Sequence, residues 1–231
     1  MKKIATLFLL SFLLFAAVGC EKENQKNHSA IDDTKQDIVK EETKNSKILI
    51  AYFSRVGNTE FPSDIDAVSS ASLITKDGNL YGNTQYIATL IQQATNGDLF
   101  LIETEEKYPV DYDETDQQGA KENKEKSRPK IASFIENVND YDMIFLGFPN
   151  WYYDMPMAVY SFLEQYDFSN KIIIPFVTSG GGGFSNTISQ IQNIQPNATV
   201  LTDGYKVTHS QINMVSFEEI QQWLDSLEGY F

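Results

Sequence analysis

The tripeptide Gly-Asn-Thr is written twice, at Gly57–Thr59 and again at Gly82–Thr84. A short loop of Ser, Thr, Gly and Asn between an apolar strand and a helix suits a phosphate, because backbone N–H groups and hydroxyls converge there on the positive helix end. The first copy follows the strand-like run "KILIAYF", Lys47–Phe53, and Ser54-Arg55, but Phe61-Pro62-Ser63-Asp64 comes next and no helical period begins. The second copy opens a helical pattern, with Tyr86, Ile87, Leu90, Ile91 and Ala94 on one face, yet has no strand before it. One reading joins them. Ser54 and Arg55 end the strand, an excursion follows, and Gly82-Asn83-Thr84 opens the helix and holds the anion, with Arg55 as a fixed charge. Each residue alone has an equally plain role, Ser54 as a strand end and Asn83 as a helix cap. Neither copy ends in Gly-Lys-Ser/Thr, so triphosphate hydrolysis is not expected.

Two other stretches carry unusual residues. "PNWYYDMP", Pro149–Pro156, places Trp151, Tyr152 and Tyr153 in a row, which is costly in water unless their faces are covered. "TSGGGG", Thr178–Gly183, lets a backbone approach a planar ligand closely. The aromatics could instead cap a sheet edge, and the glycines could be a plain flexible loop. His28 and His209 have no Cys or His partner at ligand spacing. There is no Gly-x-Ser-x-Gly nucleophile elbow.

The elements that must position these loops alternate. Strand patterns fall at Lys47–Phe53, Asp98–Thr104, Tyr141–Pro149, Lys171–Thr178 and Thr199–Val207. The third is apolar throughout and is expected to be central, whereas Pro175 argues for an edge in the fourth. Helices are expected from Asn83 to Asn96-Gly97, after Pro156, around Ile188 and Ile191, and over Phe217, Ile220, Trp223, Leu224 and Leu227. A further helix is expected late in the polar stretch after Glu105, burying Ile131, Phe134, Ile135 and Val138. Within the excursion, Lys76-Asp77-Gly78-Asn79 reads as a turn between short strands. Alternating strands and helices imply an α/β fold with a parallel sheet covered on both faces. Ligands in such sheets bind beyond the carboxyl ends of the strands, at the switch point. Those ends are where the unusual residues lie.

Together, "ILIAYFSRVGNT" with "GNTQYIA", "YDMIFLGFPNWYYDMPMAVYSFLEQYDFSNK" and "IIIPFVTSGGGG" resemble the flavodoxin-like family over residues 47–231. The resemblance implies a three-layer sandwich on a five-stranded parallel sheet, with the order 2-1-3-4-5 taken from that family and an excursion after the first strand. It also implies FMN as cofactor. The phosphate falls to Ser54, Arg55, Asn83 and Thr84, the ring to Pro149, Asn150, Trp151 and Tyr152, and the ring edge to Thr178, Ser179, Gly180 and Gly181. Trp151 is the residue expected to stack on the ring. The excursion leaves the place of Gly57, Asn58 and Thr59 open. Aromatics on the flavin and carboxylates nearby disfavour its anionic reduced form and lower its potential. The implied function is electron transfer to a redox partner protein, or FMN-dependent reduction of a small acceptor such as a quinone. The other reading is a binding module that kept the fold and lost the flavin.

The formal charge of −14 over 231 residues argues against a nucleic-acid partner and suits a cationic one. At the N-terminus, Lys2 and Lys3 precede an apolar run from Ile4 to Val18 that is short for a membrane span but normal for a signal peptide. Ala17-Val18-Gly19-Cys20 resembles a bacterial lipobox, which implies cleavage after residue 19 and a diacylglycerol on Cys20, the one cysteine. Residues 20–46 are too polar to form a core and are expected to be a disordered tether, spanning about 28 Å. This places the domain on the outer face of the cytoplasmic membrane, held by a lipid anchor. On this reading Cys20→Ser protein leaves the detergent phase on cell fractionation, and a variant that still partitions like the parent removes the anchor.

Overall fold

The computed structural model describes residues 46–68, 72–227 and 229–230. The expected signal peptide, Cys20 and all of the tether except Ser46 lie outside the described residues. In chain order the elements are β1 (Ile48–Tyr52), α1 (Arg55–Asn58), β2 (Leu73–Lys76), β3 (Asn79–Gly82), α2 (Asn83–Thr95), β4 (Asp98–Leu101) and α3 (Tyr112–Glu125). There follow β5 (Met143–Pro149), α4 (Met157–Gln165), β6 (Ile172–Ser179), α5 (Thr187–Ile194), β7 (Thr199–Val200), β8 (Tyr205–Thr208) and α6 (Phe217–Asp225). The main sheet is parallel and runs β4-β1-β5-β6-β7, with β8 also on β6. This is the order 2-1-3-4-5, with the fifth strand in two pieces.

The apolar runs look continuous in sequence because the strands bury both faces. Leu49 and Ala51 of β1 and Phe53 just past it face one core with Ile144, Leu146 and Phe148, covered by Ala158, Phe162 and Leu163 of α4 and Ile191 of α5. Their neighbours Ile50 and Tyr52 face the other core with Phe145 and Ile174, covered by Ile87 and Ile91 of α2 and Ile220 and Leu224 of α6. The period of two is intact, but it sorts residues between two apolar layers rather than between core and water.

Pro175 lies in a strand paired on both sides, and the break in the fifth strand explains how. β7 pairs Ile172 and Ile173, and β8 resumes at Phe176. The N–H and C=O of a strand residue point the same way, and the Pro175 carbonyl faces Gly204, so its missing donor falls in the gap. Only glycine fits there, since a Cβ on Gly204 would lie 2.1 Å from the Pro175 oxygen.

The excursion is a β2–β3 hairpin whose turn residues Asp77 and Gly78 have φ of 49° and 77°, the signature of a type I′ turn. It packs on α2, with Tyr81 against Tyr86 and Asn83 N–H donating to the Ser72 carbonyl at 2.9 Å, and Lys76 Nζ adds an exposed long-range bond to the Asn213 carbonyl at 2.7 Å.

The polar stretch departs from expectation. Its helix is α3, which ends at Lys126 with φ of 52°, and Pro129 follows. Capping forms this helix, not an apolar stripe: Asp111 accepts from the Glu114 N–H at 3.0 Å, with Asp113 and Glu114 in the first turn and Lys124 in the last. Residues 130–132 instead run along the chain just past β4, with Glu105 N–H to Lys130 O at 2.9 Å and Ala132 N–H to Glu103 O at 2.7 Å. They cover a sheet edge, and Phe134 is left 67% exposed rather than on a buried helical face. Gly204→Ala is expected to lower stability by about 1–3 kcal/mol, as overpacking against backbone does. Urea unfolding measures it, and an unchanged midpoint would show that the fifth strand yields at its break.

Candidate functional site

The site grows from the end of β1. Asn58 is fully buried and spends its whole carboxamide on backbone and one hydroxyl. Its Nδ2 donates to the Ser54 and Ile102 carbonyls, each at 2.9 Å, and its Oδ1 accepts from Thr104 N–H at 2.8 Å and Thr104 Oγ1 at 3.0 Å. This fixes the loop against the chain leaving β4. The hairpin returns to the same place, and Gly82 packs on Ser54: a Cβ there would meet Ser54 Oγ at 1.8 Å. The two Gly-Asn-Thr copies therefore flank one loop.

Their hydroxyls divide unevenly. Ser54 Oγ and Thr59 Oγ1 are buried without a hydrogen-bond partner, on residues 2% and 6% exposed. Leaving a buried hydroxyl unpaired costs about 1–3 kcal/mol, and this loop holds two. Thr84 Oγ1, by contrast, is bonded to Thr178 Oγ1 at 2.9 Å and ties α2 to β6. Arg55 is buried, with Nη2 donating to the carbonyls of Pro109 and Val110 at 3.0 and 2.9 Å and to Thr115 Oγ1 at 3.2 Å. Burial lowers its pKa, against the opposing pull of Tyr112 and Asp111.

Beside this loop lies a cavity of about 380 Å³, in the size range of small-ligand sites. Of the residues expected from sequence, Arg55, Asn83, Pro149, Asn150 and Trp151 line it, as do Tyr152, Thr178, Ser179 and Gly180. Ser54, Thr84 and Gly181 do not. Sequence reasoning missed Ser72, Tyr112, Thr115, Asp116, Gly119 and His209. Four of these come from α3 and its first turn, which no apolar period announces. Gly119 within that helix was the available signal. Trp151 lies against it, and a Cβ there would be 3.2 Å from the indole.

The other loops are held from within. Asn150 Nδ2 donates to the Gly183 carbonyl at 2.8 Å and to Ser185 Oγ at 3.0 Å, and Ser179 Oγ accepts from Gly181 and Gly183 N–H at 3.2 and 3.1 Å. The four-glycine loop is thus shaped by two polar side chains. Trp151 is not isolated: it meets Phe53 and Tyr108 edge-on, both at 5.4 Å between ring centres.

Trp151–Asp154 is a closed turn, with Trp151 N–H to Asp154 O at 2.9 Å and the reverse bond at 3.0 Å. Its two central residues, Tyr152 and Tyr153, have φ of 55° and 60°. Consecutive aromatic residues in the left-handed region are strained, and such strain gathers at ligand clamps. Tyr152 hydroxyl anchors on the Asp116 carbonyl of α3 at 2.8 Å. Burial, then the neighbouring Asp116, push its pKa up to about 12. Tyr153 is 75% exposed, so its backbone strain has little packing to offset it. Tyr153→Asn is expected to raise the melting stability of the ligand-free protein by about 1 kcal/mol, and an equal or lower melting temperature would show that the ring's contact with the glycine loop outweighs the strain.

Comparison with known proteins fits this geometry. The flavodoxin family model matches residues 77–227, more than half of the chain. The crystal structure of a putative flavoprotein from Bacteroides uniformis shares 27% identity and a TM-score of 0.59, covering 78% of this chain and 98% of its own. One from Bacteroides eggerthii shares 27% identity and a TM-score of 0.58, covering 78% and 97%. A flavoprotein from Lactobacillus acidophilus, solved in complex with FMN, has 18% identity and a TM-score of 0.49 over 73% of this chain and 97% of its own. No curated protein matches the chain. With the matched family model, the parallel sheet in the order 2-1-3-4-5 and the cavity at its switch point, the chain belongs to the flavodoxin family.

Proposed function

We propose that the chain binds FMN in the cavity beyond β1, β5 and β6. The observation that carries this reading is the pair of buried, unpartnered hydroxyls on Ser54 and Thr59, in the loop whose Ser54 meets Gly82 at the N-cap of α2. A phosphate ester presents acceptor oxygens that satisfy such hydroxyls, and the helix N-terminus and Arg55 favour its charge. Thr84 serves by fixing α2 to β6 rather than by direct contact. Trp151 and Tyr152 line the cavity and would cover a planar ring there, with Asn150 and Ser179 shaping the glycine loop at its edge. FMN, when bound, supplies one- and two-electron redox chemistry. The chain's own residues then bind and orient it, and the aromatic turn keeps water from one face.

In this reading the protein is a redox protein, passing electrons to a partner protein or to a small acceptor such as a quinone. The sequence around Cys20 supports a lipid anchor on the outer face of the cytoplasmic membrane, and the acidic balance supports a cationic partner.

The purified protein is expected to show a visible flavin spectrum, and the FMN-stripped protein to quench FMN fluorescence on titration. Ser54→Ala and Thr59→Ala each weaken binding about 10-fold, the loss of a hydrogen bond to a charged group. Thr84→Ala changes it less than about 3-fold, and Trp151→Ala reduces the quenching. A parent protein that neither carries nor quenches FMN supports the flavin-free binding module instead.

A further inference from the structure

The sequence holds two tryptophans, Trp151 and Trp223, and each meets the ring of a buried tyrosine that donates to a carboxylate, the first edge-on at 79° and the second tilted at 50°. Trp151 meets the ring of Tyr108 at 5.4 Å, and the Tyr108 hydroxyl donates to Glu122 Oε2 at 2.9 Å. Trp223 meets the ring of Tyr205 at 5.3 Å, and the Tyr205 hydroxyl donates to Glu219 Oε1 at 2.6 Å. Both tyrosines are buried. Tyr141 and Tyr160 also donate to carboxylates, of Asp98 and Asp154, but no indole is among their ring contacts. Satisfying a buried hydroxyl accounts for the Tyr–carboxylate pair. It does not account for an indole on each of these two.

We infer that Trp151, Tyr108 and Glu122 form a proton-coupled relay that drains one-electron oxidising equivalents from the cavity to a second opening. Trp151 lines the cavity, and Tyr108 and Glu122 line a separate groove of about 710 Å³ that Trp151 does not line. A radical oxidant in the cavity takes one electron from the indole. Tyr108 passes one electron to the indole cation, and its phenolic proton moves to the Glu122 carboxylate, leaving a neutral tyrosyl radical. Glu122 is within proton-transfer reach and is itself oriented by Gln118 Nε2, which donates to its other oxygen at 2.8 Å. A thiolate-class donor at the groove then gives one electron and becomes a thiyl radical, while the proton returns from Glu122 to the phenol. Burial, with Glu122 beside it, holds the Tyr108 pKa far above its ordinary value, so the proton leaves only when the ring is oxidised. The relay does not depend on which ligand fills the cavity. The Trp223 arrangement is its internal counterpart, away from the site.

Pulse radiolysis with azidyl radicals, which oxidise tryptophan selectively, tests the relay on the full chain. Trp223→Phe isolates Trp151. In that background the indolyl signal is expected to decay by a concentration-independent first-order process, with a matching rise of tyrosyl radical. Adding Tyr108→Phe cuts the rise at least 10-fold, and adding Glu122→Gln slows it at least 10-fold with loss of its solvent isotope effect. In the chain with both tryptophans present, Tyr108→Phe lowers the tyrosyl yield and leaves the Tyr205 share, which keeps the test valid if Trp223→Phe does not fold. A rise unchanged by Tyr108→Phe, or a rate unchanged by Glu122→Gln, overturns the relay.

Discussion

The site depends on one buried carboxamide. Asn58 joins Ser54, Ile102 and Thr104, three points on two neighbouring strand ends, through four hydrogen bonds. Such a group in the interior has value only when every donor and acceptor is met, and here each is. The loop it holds can therefore keep Ser54 and Thr59 hydroxyls unpaired, because the cost is borne by a rigid neighbour and not by local collapse. The repeated Gly-Asn-Thr thus holds two jobs. In the first copy the asparagine is a latch and the threonine hydroxyl is spare. In the second the glycine makes room for Ser54 and the threonine bolts α2 to β6.

Around this latch, each strand end contributes a loop shaped by a different device. Arg55 spends its guanidinium partly on the chain before α3, so the charge that could meet an anion also fixes the wall of the cavity. The glycine loop is held by Asn150 and Ser179, and the Trp151–Asp154 turn by its own backbone and by Tyr152 on α3. The cavity wall is therefore held chiefly by hydrogen bonds, with Trp151 joining it to the apolar layer beneath.

The sheet was legible in the sequence because its strands are apolar runs bounded by turn residues, and its order followed from family resemblance. The main cavity loops were legible for a related reason: three aromatics in a row at a strand end are costly in water unless their faces are covered, and Trp151 is covered by Phe53, Tyr108 and Gly119 beside the cavity. What escaped was α3. Its stability comes from the Asp111 cap and first-turn carboxylates, and the sequence pattern favoured the apolar residues Ile131 to Val138, which serve as an edge cover instead. With α3 went Tyr112, Thr115, Asp116 and Gly119, the wall of the site. The reach of the excursion was also hidden, since no local pattern reports that Ser54 and Gly82 touch.

The hairpin's bond from Lys76 to Asn213 spans 137 positions, and Ser72, at its base, accepts from the Asn83 N–H at the start of α2. Loop-closure entropy must be met before so distant a contact is rewarded. The hairpin can form its own turn early and seats locally on α2, through the Ser72–Asn83 bond and the Tyr81–Tyr86 ring pair. Gly82 and Ser54 meet in that local seat, so the Ser54–Thr59 loop needs the chain only as far as Thr104, where Asn58 finds its last partner. The bond to Asn213 is exposed and closes last, and a chain cut short of Asn213 loses that clasp while keeping its excursion on α2.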